Sequence, residues 1–154
     1  MLMLRKFQIG DETELRKLFF TTIRTVNIHD YSKAQVQAWA PDEYDHQAWL
    51  DKMLSLGPFV AKFEGQIVGY SDVQADGYIN HFFCHAGFQG KGVGKTLMQT
   101  LHKAALQQGN KRLYSHVSIS AKPFFEHFAF NTIKQQSVEI RGQKLRNFVM
   151  EKYL

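Results

Sequence analysis

The chain has almost no sulfhydryl chemistry. Of its 154 residues only Cys84 is a cysteine, so no internal disulfide can form, and the composition suits a reducing compartment. Cys84 sits in an apolar stretch with no helix start placed to activate its thiol, so it reads as a small core residue rather than a nucleophile. No apolar run reaches the length of about eighteen residues that a membrane-spanning helix needs. The opening Met1–Phe7 is too short for a secretion signal and reads better as a first strand. A cytoplasmic protein with no membrane partner is expected. There is no linker, repeat or low-complexity segment, so residues 1–154 are expected to form a single domain. The net charge is +5, but Lys and Arg are scattered and no nucleic-acid recognition motif accompanies them. The charge therefore suits general attraction to a polyanionic ligand or plain solubility. No metal site is expected.

Aromatic residues, by contrast, are abundant. Thirteen phenylalanines imply a core built from rings and a pocket lined by them. Leu2–Phe7 reads as a strand. Asp11-x-x-Glu14 resembles a capping box and opens a helix with Leu15, Leu18, Phe19, Thr22 and Val26 on one side. Ser32-x-x-Gln35 opens a second helix that Pro41 stops. A further helical piece covers about Asp45–Leu56 and ends at Gly57-Pro58. The period then shortens. Phe59–Phe63, Ile67–Val73 and Tyr78–Cys84 read as an antiparallel meander, the last turn set by Asp76-Gly77. A helix from Gly92 to Gln108 and a strand Leu113–Ile119 form a crossover, so the strands it joins should be parallel. Pro123 suits the first turn of a short helix carrying Phe124, Phe125 and Phe128. A hairpin, Thr132–Ile140 and Lys144–Met150 around Arg141-Gly142, closes the chain.

The stretch between Tyr78 and Asn110 carries the most chemistry. An apolar strand runs into Gln89-Gly90-Lys91-Gly92-Val93-Gly94-Lys95-Thr96 and then into an amphipathic helix. A glycine-rich turn at a helix start leaves backbone N–H groups unpartnered at the positive end of the helix dipole, with no side chains over them. Such a corner suits phosphate oxygens, and a diphosphate-bearing ligand is expected there. Two familiar patterns fail. A P-loop would need glycine where Gln89 stands and a second strand ending in a magnesium-holding Asp. A dinucleotide fingerprint counted from Gly92 would need glycine where Leu97 stands.

A third pattern, Gln/Arg-x-x-Gly-x-Gly/Ala, fits at Gln89, Gly92 and Gly94. Placed directly after the strand ending Phe82-Phe83-Cys84-His85, it resembles the coenzyme A pyrophosphate motif of the GNAT N-acetyltransferase superfamily. The element order, β-α-α-β-β-β-α-β-α-β-β, resembles the same family across nearly the whole chain. The resemblance implies an α+β GNAT fold with a mixed, mostly antiparallel sheet of about seven strands and helices on both faces. It implies that Tyr78–Cys84 and Leu113–Ile119 splay apart around a pantetheine arm. It also implies acetyl-CoA as cofactor, with Phe82, Phe83 and Cys84 meeting pantetheine through backbone. The turn Gln89, Gly90, Lys91, Gly92, Val93, Gly94 and Lys95 would hold the pyrophosphate, with Lys122 a further cation. A homodimer is compatible with the family.

The family often carries Asn-x-x-Ala-x-x-x-Tyr, whose Tyr protonates the departing thiolate. Here Ser118 stands for the Asn, Ala121 matches, and Phe125 stands for the Tyr with no proton to give. Water, Tyr78 or Tyr114 would then have to serve. Acetyl transfer also needs an oxyanion donor, for which a backbone N–H near Phe83 is placed, and a route for the ammonium proton. His81 is the local candidate because imidazole titrates near neutrality. His29, Asp30, Asp72 or a water chain are alternatives. Asp30, Tyr31, Trp39 and Asn80 are the expected contacts of an amine-bearing acceptor, since rings beside a carboxylate suit a cation. Tyr31–Pro41 and Arg141–Lys152 further resemble a subgroup of small bacterial-type members. The expected activity is acetyl transfer from acetyl-CoA to a primary amine of a small molecule or peptide, in a ternary complex. The alternative is a catalytically weak CoA-binding sensor of the same fold.

Overall fold

In the computed structural model, which describes residues 1–154, strand β1 (Leu2–Lys6) leads into helix α1 (Glu12–Thr25). Helix α1 buries Leu15, Leu18, Phe19, Thr22 and Ile23 along one stripe, as helical periodicity requires. Its start departs from the expected capping box. The Asp11 carboxylate makes no bond to the first turn. It takes both guanidinium nitrogens of Arg5 at 2.7 and 2.9 Å and the Gln8 N–H at 2.9 Å. A bidentate charge-assisted pair is the stronger partner, and that Arg5 contact holds the Asp11 carboxyl below the usual carboxylate range.

Helix α2 (Lys33–Trp39) does begin with a capping box. Ser32 Oγ accepts the Gln35 N–H at 3.1 Å, and Gln35 Oε1 accepts the Ser32 N–H at 2.8 Å. Helix α3 (His46–Leu56) starts where Asp45 accepts the Ala48 N–H at 3.0 Å and ends at Gly57 in the left-handed region. The further helical piece expected over about Asp45–Leu56 is thus a helix of its own, one more than the two counted in the expected element order.

The rest follows as β2 (Phe59–Phe63), β3 (Gln66–Ser71), β4 (Tyr78–Ile79), β5 (Phe82–Cys84), α4 (Val93–Gln107), β6 (Arg112–Ser118), α5 (Lys122–His127), β7 (Asn131–Ile140) and β8 (Gln143–Tyr153). These strands make two sheets, ordered β1-β2-β3-β5 and β4-β6-β8-β7. Every pairing is antiparallel except β4 with β6, the expected crossover pair.

The strand expected over Tyr78–Cys84 is broken at Asn80–His81, and the break makes the two sheets part. Asp72, fully buried just past β3, accepts the His81 N–H at 2.7 Å and the Asn80 N–H at 3.2 Å. Gln74 Nε2 donates to the same carboxylate at 2.7 Å. On the carbonyl side, Ser115 Oγ donates to Ile79 O and Ser71 Oγ to His81 O, each at 2.7 Å. Side chains thus satisfy the backbone groups that a continuous ladder would have paired. Pairing with β6 stops at Ile79 opposite Ser115, and pairing with β3 begins at Phe82 opposite Ser71. Beyond that point β5 travels with the first sheet and β6 with the second, which opens the wedge between them. With β4 and β5 read as one interrupted strand, the count is the expected seven.

Each sheet has its own core. Leu15, Ile23, Val36, Met53 and Tyr70 fill the space between α1–α3 and the first sheet. Met98, Leu101, Leu113, Phe125 and Met150 fill that between α4, α5 and the second. Burial of each such side chain contributes on the order of 2 kcal/mol, so both halves of the wedge rest on firm walls. No helix is long and apolar enough to cross a membrane.

Candidate active site

The wedge widens into a cleft of about 540 Å³. Its sides come from β5, the first turn of α4, the end of β6 with the start of α5, and α1 with Trp39. The facing ends of β7 and β8 complete it.

At one end lies the glycine turn. Gly90 and Gly92 have φ of +75° and +79°, a conformation that side-chain-bearing residues adopt at a cost. Gly94 is required for another reason. A Cβ there would lie 2.8 Å from the Phe124 ring. Gly92 caps α4 without any side-chain bond. The first α4 amide with a partner is that of Thr96, which donates to Gly92 O at 3.0 Å. The N–H groups of Val93, Gly94 and Lys95 have none, and all three residues line the cleft. Gln89, Gly90 and Gly92 line it as well, whereas Lys91 and Lys122 do not. Lys122 instead approaches Glu126 at 3.9 Å and the Phe148 ring at 4.9 Å.

Along β5 the backbone is sorted by the antiparallel ladder. His85 N–H donates to Val68 O and Asp72 N–H to His81 O. Alternation therefore turns the polar groups of His81, Phe83 and His85 toward β3 and those of Phe82 and Cys84 toward the gap. The expected oxyanion donor near Phe83 shifts to its neighbours for this reason. Thr22 Oγ1 already donates to Cys84 O at 3.3 Å. Side chains divide the opposite way. Phe82 packs on Phe124 and Phe125 at 5.2 and 5.7 Å between ring centroids. His81 and Phe83 pack on Phe19 at 5.6 and 5.1 Å. Both faces border the cleft because it straddles the strand. Burial pushes the Cys84 thiol up to about 12, which keeps it protonated.

His81 is the most constrained polar side chain here. Its Nδ1 lies 3.0 Å from the hydroxyl of fully buried Tyr70, and Nε2 has no partner in the protein. Phe19, Trp49, Tyr70 and Phe83 surround the ring. That burial, with a smaller push from the Lys52 ammonium, lowers the imidazole's pKa to about 3. Of the phenols, Tyr78 lines the cleft beside Tyr114 and His116, and its hydroxyl makes no hydrogen bond within the protein. Tyr114 is turned to Asp76, 2.5 Å away, and does not line the cleft. Phe125 does line it, wedged against Phe82, Phe124 and Phe130.

Of the expected acceptor contacts, Tyr31, Trp39 and Asn80 line the cleft, but Asp30 is exposed outside it. The Tyr31 hydroxyl is fully committed, donating to Arg146 O at 2.6 Å and accepting the Ile119 N–H at 2.9 Å. Only its ring is offered inward, edge to face with Trp39 at 5.6 Å. Ser118 also lines the cleft. Its Oγ accepts the Ala121 N–H at 3.1 Å and Asn27 Nδ2 at 3.4 Å.

Several lining residues escaped the sequence reading: Phe19, Ser120, Leu145 and Asn147. Leu145 and Asn147 share one face of β8, but only the tertiary fold, which pairs Asn147 with Ser118 of β6, sets that face along the cleft.

The sequence and the fold are similar to those of known proteins. A family model described as an acetyltransferase (GNAT) domain matches residues 27–154. The uncharacterized N-acetyltransferase YafP of Escherichia coli (strain K12) is 33% identical over 147 residues, which is 96% of this chain and 93% of YafP. A GCN5-related N-acetyltransferase from Rhodopseudomonas palustris superposes with a TM-score of 0.94 at 27% identity, covering 99% of this chain and 95% of its own. The PaiA N-acetyltransferase of Thermoplasma acidophilum, solved in complex with coenzyme A, shares the fold with a TM-score of 0.76. It is 16% identical and covers 100% of this chain and 99% of its own. The chain belongs to the GNAT family of N-acetyltransferases.

Proposed function

We propose that this acetyltransferase binds acetyl-CoA along the wedge between β5 and β6 and passes the acetyl group directly to a primary amine held near His81. The observation that carries the reading is the corner where the unpartnered amides of Val93, Gly94 and Lys95 border the cleft. A pyrophosphate fits it: amides at the start of a fifteen-residue helix and one lysine supply donors and positive potential without obstruction.

When bound, acetyl-CoA supplies a thioester-activated acyl group. The chain's own residues do the rest. The polar backbone edges of Phe82 and Cys84 face the gap, placed to bond a flexible amide-bearing arm and to donate an N–H to a carbonyl oxygen. In the tautomer that donates its Nδ1–H to the Tyr70 oxygen, neutral His81 offers Nε2 as the proton acceptor for the amine, directly or through water. The uncommitted phenol in the cleft, Tyr78, is the candidate to return a proton on the leaving side, because Phe125 has none. The walls of Phe19, Trp39 and Phe83 exclude water.

Phe125 also supports a second reading, a sensor that binds coenzyme A and turns over little. One experiment separates the possibilities. Thermal shift with acetyl-CoA and with ATP–magnesium reports which ligand selects the folded state, and thiol release over an amine panel reports transfer. Stabilisation by acetyl-CoA with amine-dependent thiol release, lost in Gly92→Glu, is the expected result. Stabilisation by acetyl-CoA with no release for any amine would favour the sensor. Stabilisation by ATP–magnesium alone would overturn both.

A further inference from the structure

The vertex of the wedge holds a titratable side chain that the acetyl transfer described above leaves unused. Leu113 and Val117 of β6 are buried in the core of the second sheet, so alternation turns Tyr114, His116 and Ser118 to its other face. His116 is the first residue of β6 past the last pair with β4, Ser115 opposite Ile79. One step on, the same register would set Asn80 across from it, but the Asn80 N–H goes to Asp72 instead. The gap therefore opens at His116, across from the strand break that carries His81. His116 lines the cleft and is exposed, so water and a bound ligand can reach it. Tyr78, the other titratable group at the vertex, packs its ring against the imidazole with centroids 5.4 Å apart.

A proton accepted by His81 needs somewhere to go. Burial beside Phe19, Trp49 and Tyr70 lowers the pKa of that imidazole to about 3, so it cannot keep a proton near neutral pH. A proton acceptor works best when its pKa lies near the operating pH. His116 meets that condition. Partial burial, then the Lys134 ammonium, hold it below its ordinary value of 6.5, which leaves it neutral and able to accept. The groups that share its face are few. Tyr78 of β4 touches it, Lys134 of β7 lies beyond its β8 partner Val149, and Tyr114 and Glu151 pair one step along. Those last two are engaged with Asp76 and Arg112 respectively.

We infer that His116 is the terminal acceptor of the amine proton, reached from His81 through water, and that it returns a proton to the departing thiolate by way of Tyr78. This inference rests on the acetyl-transfer reading above and deepens it. The amine nitrogen forms the C–N bond, the C–S bond breaks, and the nitrogen's proton moves to His81 and on to His116. The thiolate takes the Tyr78 phenol proton, and the His116 imidazolium restores the phenol. One proton leaves nitrogen, one arrives on sulfur, and all three side chains end as they began.

The test is the pH dependence of kcat for thiol release from acetyl-CoA, using whichever of benzylamine, tyramine, spermidine and glycinamide turns over fastest. The unaltered protein is expected to show an acid limb below pH 6.5, as His116 gains its proton. His116→Gln is expected to lose that limb and at least about tenfold in kcat near neutral pH, with KM for acetyl-CoA unchanged. Added imidazole is expected to restore part of the rate, which it would not do for a merely structural residue. Lys134→Gln removes a like charge, so it is expected to move the limb to higher pH at an unchanged plateau. A His116→Gln protein with the limb and rate of the unaltered one would overturn this inference and leave the transferase reading standing. So would a limb that Lys134→Gln does not move. Tight acetyl-CoA binding with no release for any of the amines would overturn the transferase reading, and this inference with it.

Discussion

The Tyr70 hydroxyl and His81 Nδ1 stand 3.0 Å apart, and this contact decides which ring nitrogen of His81 is left to act. With Nδ1 engaged, Nε2 is the atom without a partner. Replacing His81 by Gln should lower kcat on the order of 10²-fold if it relays the amine proton. Tyr70→Phe should lower kcat less while leaving KM for acetyl-CoA unchanged, because it frees the ring without touching the glycine turn. Steady-state kinetics of the two variants check this.

The depressed pKa of His81 has a pH signature. Its ordinary value of 6.5 falls to about 3 in the fold, so the unfolded chain binds a proton that the folded one refuses. The associated stability is fully present above about pH 6.5 and is lost progressively as pH falls through that value toward about 3. Melting temperature should therefore drop on acidification from neutral pH to about 5, and His81→Gln should flatten that drop. A His81→Gln protein with the same acid slope would contradict the assignment.

Asp72 holds the strand break open. In Asp72→Asn, an NH₂ group must face one of the N–H donors of Asn80, His81 or Gln74, a donor against a donor. The expected cost is about 2 kcal/mol in urea unfolding. Because the break starts the wedge, acetyl-CoA affinity should fall in the same variant, as titration calorimetry can measure.

How much of this was readable in advance differs by element. The glycine turn and its helix were legible because the special backbone angles of Gly90 and Gly92 write themselves into the residue type. The capping box at Ser32 was legible for a similar local reason, and the one at Asp11 was misread because its carboxylate finds Arg5 on a neighbouring strand. The break inside Tyr78–Cys84 left no mark in an apolar run, since its cause, Asp72, lies just past β3. Asp30 fits a cation site on paper, beside Tyr31. Its exposure outside the cleft follows from the turn between α1 and α2. The β8 wall with Asn147 depends on register across three strands and had no local signal.

Gly94 separates two uses of glycine in the same turn. Gly94→Ala places a methyl group against the Phe124 ring at 2.8 Å and should displace that ring toward the cleft. Acetyl-CoA binding is expected to weaken by about tenfold, or ~1.4 kcal/mol. Gly92→Ala meets open space and should instead cost about 1 kcal/mol of folding stability through its backbone angle. Denaturation and titration on both variants would reveal the split.

The central claim is that unpartnered amides at the α4 start, together with the inward backbone edge of β5, receive the cofactor. Amide proton and nitrogen chemical shifts followed through a titration with coenzyme A test it most directly. The largest changes are expected at Val93, Gly94 and Lys95, followed by Phe82 and Cys84, with β1 and β7 quiet. Saturable binding that leaves those five amides unmoved would contradict the account.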